Sequence, residues 1–175
     1  MTELTTRKLR ELFGLFATGV VIVTAVSPDG EPIGLTVNSM ASVSLEPPLL
    51  LWCLASNSQS RAAFTDGARF DIHILSEHQA PIALHFARKA RDKFDTDPHW
   101  RRDPKPPRVD GVLARLACTV HATHEAGDHI IIIGQIEAAE HTSGPPLVFY
   151  ASKFGRFAQQ APSPYALPVS GDGWF

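Results

Sequence analysis

Cysteine is scarce: Cys53 and Cys118 are the only two in 175 residues. Each sits in an apolar run, and neither has the spacing of a zinc ligand or a disulfide framework. Both read as reduced core residues, which fits a cytoplasmic protein. Charge of one sign is also lacking. The 16 Lys and Arg are set against 18 Asp and Glu for a net charge of −2, which argues against nucleic acid or an anionic membrane surface as partner. No apolar run approaches the roughly 20 residues needed to cross a bilayer. The first residues mix charges without the apolar stretch of a secretory signal. No Gly-x-Gly-x-x-Gly follows a strand-like segment and no P-loop is present, so a bound dinucleotide would lie outside any Rossmann domain. Neither a nucleophilic triad nor a pair of catalytic carboxylates stands out, and no internal repeat is visible. The length suits one domain with a single substantial core.

What is present is a series of short β-type runs. Residues 6–17 carry Leu9, Leu12, Phe13 and Phe16 at the spacing of an amphipathic helix, with Thr5 or Thr6 as cap. Residues 20–26 read as a buried strand, Ser27-Pro28-Asp29-Gly30 as a turn, and residues 33–39 as the returning partner. Glu46-Pro47-Pro48 interrupts the pattern before another buried strand at residues 49–54. Arg61-Ala62-Ala63-Phe64 looks helical, and residues 68–75 form a strand. Ser76-Glu77-His78-Gln79 resembles a capping box opening a helix through Phe86, although Pro81 moves its start toward Ala80. Residues 112–123 alternate, with Leu116, Cys118, Val120 and Ala122 opposite Arg115, Thr119, His121 and Thr123. Gly127-Asp128 makes a hairpin turn, and the four isoleucines 130–133 suit a strand buried on both faces. Residues 147–150 are the last strand, and residues 158–175 form a Pro-rich tail with Trp174 near its end. Six or seven strands and two or three helices predict an antiparallel barrel with helices packed outside.

Three places carry candidate chemistry, each with a plain alternative. The loop Ser56-Asn57-Ser58-Gln59-Ser60 runs from a strand into a helix N-terminus. Its N–H groups and hydroxyls suit a phosphate, or Ser58 and Ser60 simply cap the helix. Arg88-Lys89-Ala90-Arg91-Asp92-Lys93-Phe94 is either a solvated helix end or the receiver of a phosphate chain. His129, at the exit of the hairpin turn, is either a held ligand-binding residue or an ordinary surface histidine. A metal is not expected. Asp95, Asp97, His99 and Asp103 lack the glycine and terminal glutamate of a calcium loop, and His121, His124 and His129 do not converge.

Five segments in order resemble the flavin reductase family, the small reductase component of two-component flavin-dependent monooxygenases. They are Phe16-Ala17-Thr18-Gly19-Val20; Gly34-Leu35-Thr36-Val37-Asn38-Ser39 leading to Ser42-Val43-Ser44-Leu45-Glu46-Pro47-Pro48; the 56–60 loop; Asp92-Lys93-Phe94; and Gly127-Asp128-His129 with Gly134. The resemblance is nearest to reductases serving aromatic-ring and steroid-catabolic hydroxylases, and it covers about residues 8–157. It implies a mainly β, antiparallel split β-barrel of Greek-key type spanning residues 1–157, usually homodimeric. It also implies FMN or FAD as cofactor, NADH or NADPH as co-substrate, and an oxygenase that receives reduced flavin.

Carried over by residue, Ile33, Gly34, Leu35, Thr36, Asn38 and Ser39 lie against the isoalloxazine or ribityl chain. Cys53, Leu54, Ala55, Ser56, Asn57, Ser58 and Ser60 wrap the ribityl phosphate, with Phe86, Arg88 and Lys93 assisting. Gly127, Asp128 and His129 match the nicotinamide motif, and His129 is the catalytic candidate, hydrogen-bonding or stacking there without transferring a proton. Hydride transfer needs no protein acid or nucleophile, so the missing triad does not argue against an enzyme. A flavin- or haem-binding module without turnover would keep the serine loop but have no use for Gly127-Asp128-His129. A pyridoxamine-phosphate-oxidase-like enzyme would gather more basic residues around a substrate phosphate.

Overall fold

Two clusters of buried side chains, on opposite faces of the same strands, set the architecture. The computed structural model describes residues 4–89, 93–94, 100–101 and 106–158. It is mainly antiparallel β with two α-helices and one 3-10 turn. In chain order these are α1 (Thr6–Phe13), β1 (Thr18–Gly19), β2 (Val21–Val26), β3 (Pro32–Val37), β4 (Ala41–Leu45), β5 (Pro48–Ala55), the 3-10 turn Arg61–Ala63, β6 (Arg69–Ile74) and α2 (Ala80–Ala87). There follow β7 (Trp100–Arg101), β8 (Arg108–Val109), β9 (Ala114–Ala126), β10 (His129–His141), β11 (Leu147–Tyr150) and β12 (Lys153–Arg156).

The main sheet has the order β3-β2-β6-β9-β10-β5-β4, with β1-β11-β12 as a second sheet. Its two edge strands, β3 and β4, are consecutive in the chain and joined only by residues 38–40. Laid flat, seven strands would hold those edges about 29 Å apart, at ~4.8 Å per step. The connection from Val37 to Ala41 reaches at most about 15 Å. The sheet therefore curls until its edges meet at this corner, although no ladder joins β3 to β4 among the described residues.

Val21, Val23 and Ala25 face the inside of the curl, where Trp52, Phe64 and Phe70 pack edge-to-face and tilted at 4.9–6.1 Å. Val20 and Ile22 face outward and are covered by Ile82, Ala83 and Phe86 of α2. The run at 20–26 is apolar but for Thr24 because both faces are buried, and the Thr24 hydroxyl donates to Pro107 O at 2.6 Å. Two glycines permit the closest approaches: a Cβ at Gly134 would stand 2.4 Å from Phe70 Cζ, and one at Gly34 2.3 Å from Phe86 Cε1. Burying a ring of this size contributes about 1.5–3 kcal/mol.

Several expectations change. The first helix ends at Phe13, and residues 14–16 continue as tighter turns, Leu15 N–H to Leu12 O and Phe16 N–H to Phe13 O. No residue of its apolar stripe is buried among the described residues: Phe13 and Phe16 are 72% and 77% exposed. The strands at 49–54 and 130–133 are not buried on both faces. Leu50, Trp52, Leu54, Ile130 and Ile132 are buried, while Leu49, Leu51, Ile131 and Ile133 are half-exposed. The helix at 61–64 is a three-residue 3-10 turn. In β9 the pairing shifts between Ile133↔Ala122 and Gly134↔Val120, so His121 is the extra residue of a bulge. Thr123 then shares the inner side with Ile130 and Ile132 instead of facing away with His121.

The helix start at Ala80 stands as expected, with Pro81 in the first turn. Only half of the capping box forms: Gln79 Oε1 accepts from Ser76 N–H at 3.0 Å, while Gln79 N–H donates to Ser76 O. Asp95, Asp97, His99, Asp103, Arg91, Asp92 and Trp174 lie outside the described residues.

Candidate functional site

At the corner where the sheet edges meet lies a cleft of about 750 Å³. One wall is the end of β3 and the corner itself, Leu35 to Ser39; a second is the end of β5 with the loop that follows, from Cys53 to Ser60. The C-terminal end of α2 (Phe86, Ala87, Arg88, Lys89), together with Lys93 and His129, completes it. Hydrogen bonds between segments hold these walls. Thr36 Oγ1 donates to Ala83 O at 2.7 Å, pinning α2 on β3. Ser39 Oγ accepts from Cys53 N–H at 2.9 Å. Cys53 lies beyond the part of β5 that β4 pairs, so Ser39 satisfies a donor the ladder leaves open. Asn38 has no hydrogen bond within the described residues and is exposed at the cleft.

The hairpin and the serine loop form one unit. Gly127 has φ +64°, the left-handed geometry that the turn requires. His129 pairs with Ala55 across β10 and β5, and Ser56 N–H donates to Asp128 O at 3.0 Å. His129 Nδ1 lies 2.7 Å from Asp128 Oδ1. A carboxylate only accepts, so Nδ1 carries the proton. The ring is thereby oriented, and its Nε2 is left for a ligand. Hydrogen bonding from His129 holds the Asp128 carboxyl below its usual range.

The opposite wall is basic. Arg88, Lys89 and Lys93 line it, and no carboxylate stands among the described lining residues. Lys93 is nearly buried, and its ammonium donates to Gly34 O at 3.0 Å and Phe86 O at 2.9 Å. Burial, and secondarily the charge of Arg88, lower its pKa. Those carbonyls hold the cation without neutralising it, so the wall favours an anion.

The structure brings together Leu35, Thr36, Asn38, Ser39, Cys53, Leu54, Ala55, Asn57, Ser58, Ser60, Phe86, Arg88, Lys93 and His129, as the sequence led us to expect. It does not bring Ile33, Gly34, Ser56, Gly127 or Asp128 to the lining. Ile33 packs on the inner core, Gly34 makes room for Phe86, and Gly127 and Asp128 build the turn. Ser56 Oγ is buried and unpartnered. Ser58 Oγ accepts from Ser60 N–H at 3.2 Å within the loop, and Ser60 stands at the N-cap of the turn without a side-chain capping bond, so neither serine caps a helix as the alternative reading expected. With only a 3-10 turn after the loop, no helix dipole assists there. Val37, Gln59, Ala87 and Lys89 also line the cleft and were not singled out. Lys89 was visible in the basic run, and Val37 and Gln59 lie inside the quoted 34–39 and 56–60 segments; Ala87 carries no sequence signal of its own.

A second cavity, about 800 Å³, lies on the other side of the loop and shares Leu54, Ser58 and Gln59 with the cleft. Its floor is Phe64, Ile130 and Ile132, and the neighbouring Arg61 is tied to Glu125 at 2.5 Å. It lacks the convergent cations of the first.

Residues 13–158 match the family model described as "Flavin reductase like domain". The chain is 46% identical over 155 residues to "FMN reductase (NADH) SmoA" of Agrobacterium fabrum, covering 88% of this chain and 87% of that protein. It is 39% identical over 154 residues to the "NADH-dependent flavin reductase" of a Rhodococcus species, covering 87% and 86%. Some relatives are longer, and the chain spans 44% and 42% of the length of two of them. Among solved structures, the NADH:FAD oxidoreductase SgcE6 of Streptomyces globisporus, in complex with NAD and FAD fragments, superposes with a TM-score of 0.82 at 36% identity. That match covers 92% of this chain and 100% of the other. A cleft fit for an anionic, partly apolar ligand and a match across nearly the whole described chain lead to one conclusion: this protein belongs to the flavin reductase family.

Proposed function

We propose that the chain is an NADH-dependent flavin reductase that supplies reduced flavin to a partner monooxygenase. The observation that carries this is the convergence of the β3 corner, the serine loop, His129 and three cations on one cleft. A flavin held there would supply the redox chemistry, as acceptor of hydride from a nicotinamide.

The residues present fit such a group. Leu35 and Val37 offer apolar surface, and the buried Leu54 and Phe86 stand in the same walls. Asn38 and the hydroxyls of Ser58 and Ser60 offer polar contacts. Arg88, Lys89 and Lys93 would hold the phosphate. His129, oriented by Asp128, would hold the nicotinamide through Nε2 rather than move a proton. The chain's contribution is therefore orientation and a water-poor approach.

We assign it the split barrel, the homodimeric state and the cytoplasmic location of the family likeness. The curled sheet with a seam at residues 38–40 supports the barrel. The exposed stripe of α1 and the half-exposed Leu49, Leu51, Ile131 and Ile133 support a second copy. The unpaired cysteines suit the cytoplasm. Among the described residues, no helix is long and apolar enough to cross a membrane.

The test is NADH oxidation in air with FMN, FAD or no added flavin. Oxidation that depends on added flavin is expected. Tight flavin binding without any NADH oxidation would move the protein to a binding module and remove the role of His129.

A further inference from the structure

The basic wall raises a physical problem. It stands at the C-terminal end of α2, where the helix dipole repels anions. Attraction must come from side chains, and an arginine on an exposed helix end loses much rotamer freedom when it binds. Arg88 is such a residue: exposed, at the C-cap of α2, lining the cleft.

It is not loose. Arg88 Nη2 donates to His85 Nδ1 at 2.6 Å, and Arg88 Nε reaches His85 O at 3.4 Å. A guanidinium only donates, so Nδ1 offers its lone pair. The proton of the neutral imidazole then sits on Nε2, which donates to Lys93 O at 2.5 Å. The ring itself stands edge-on to Phe86 at 5.2 Å, and Phe86 is 1% exposed. His85 thus joins the last turn of the helix to the segment that carries the second cation. One imidazole fixes both ends of the basic wall.

We propose that His85 is a positioning residue for phosphate recognition, setting Arg88 against the Lys93 backbone before the ligand arrives. The inference rests on the flavin reading of the cleft. His85 itself is absent from the cleft lining, so its effect passes through Arg88. Preorganising a charged donor is expressed in the phosphate-dependent part of affinity and not in the part due to the ring system.

The experiment compares FMN with riboflavin, which lacks only the phosphate, by fluorescence titration of the whole chain. The wild type should prefer FMN. His85→Phe keeps a ring against Phe86 but loses both hydrogen bonds; it should weaken FMN about tenfold and leave riboflavin within about twofold. His85→Gln, whose amide can donate to Lys93 O and accept from Arg88, should retain most of the preference. Arg88→Ala should cut the preference at least as far, leaving what Lys89 and Lys93 supply, and adding His85→Phe to it should cost much less than it does in the wild type. Equal weakening of FMN and riboflavin in a folded His85→Phe protein would make His85 merely structural and overturn the proposal, as would no change in either. A wild type that binds both equally would overturn it while leaving the reductase reading intact. A wild type that binds neither would overturn both.

Discussion

Replacing Gly34 by alanine drives a methyl into space that Phe86 already fills. The new Cβ would lie 2.3 Å and 2.4 Å from Phe86 Cε1 and Cδ1, and 2.9 Å from Phe94 Cζ. Carbon contacts are comfortable near ~3.5–4.0 Å, so the ring must retreat by more than about 1 Å. It has nowhere close to go. Phe86 and Phe94 are 1% and 4% exposed, Phe94 meets Phe86 at 5.1 Å, and Trp100 blocks the far side at 4.6 Å from Phe94. Overpacking of this kind costs about 1–3 kcal/mol. Restricting the unfolded chain offsets about 0.4–1 kcal/mol of that. The net loss is roughly 0–2.6 kcal/mol, or up to about 10 °C in Tm for a chain of this size.

The same shift should reach the cleft, because Gly34 O and Phe86 O hold the Lys93 ammonium. Thermal melts and flavin titrations should therefore fall together in Gly34→Ala. Gly19→Ala is the control, since nothing stands within 4 Å of its Cβ. Trimming the clashing ring in Gly34→Ala/Phe86→Leu should recover part of the loss. A Gly34→Ala protein with wild-type Tm and flavin affinity would refute the argument that this glycine exists to seat α2.

His129→Ala should raise the NADH KM far more than it lowers kcat if, as proposed, the ring holds the nicotinamide without moving a proton; collapsed turnover with unchanged KM would sink that role. His73 is buried, and burial pushes its pKa down from 6.5 to about 4. The unfolded chain takes the proton first, so stability is full above about pH 6.5 and falls toward pH 4, by about 3 kcal/mol. Asp71 opposes part of this loss, since burial raises its pKa and the folded state binds that proton more readily. Urea melts across this range should show the fall, and His73→Phe should flatten it; an unchanged slope would exclude His73 as the cause. Burial also pushes the Cys118 thiol up to about 12, while Cys53 lines the cleft. A thiol reagent should modify Cys53 alone in the folded protein, and added flavin should slow it; labelling of Cys118 without unfolding would contradict the core packing.

What could be read from the residues was whatever neighbours in sequence decide. Gly127-Asp128 announces a turn by its own backbone preferences, and the apolar run at 20–26 announces burial on two faces. Pro81 fixed the start of α2 at Ala80. The alternation hidden in Leu49 to Leu54 and in the isoleucines was missed because both faces are apolar, though only one is buried. The bulge at His121 leaves no mark in composition, and it reversed the facing of Thr123. Most of the cleft was legible, but the tasks of its residues were not. Thr36 pins a helix, Ser39 closes an open ladder donor, Gly34 yields to a ring, and His85 braces Arg88. Each of these depends on a partner that only folding brings near.

The seam at residues 38–40 has a mechanical consequence. A sheet curled on itself is stiff wherever each strand is flanked by two others, and compliant where two edges merely approach. Here the compliant line runs into the cleft, with the corner after β3 on one side and the end of β5 on the other. A molecule seated there acts as a keystone, and occupancy should be felt as rigidity in the strands on either side of the gap. At a hundredfold excess over Kd, linkage alone adds about 2.7 kcal/mol. Slowed amide exchange should concentrate in β3 and β4, far along the chain from β10 but adjacent to the gap the ligand spans. The enzyme would thus be softest when empty, and each departure of its product would loosen the corner for the next arrival.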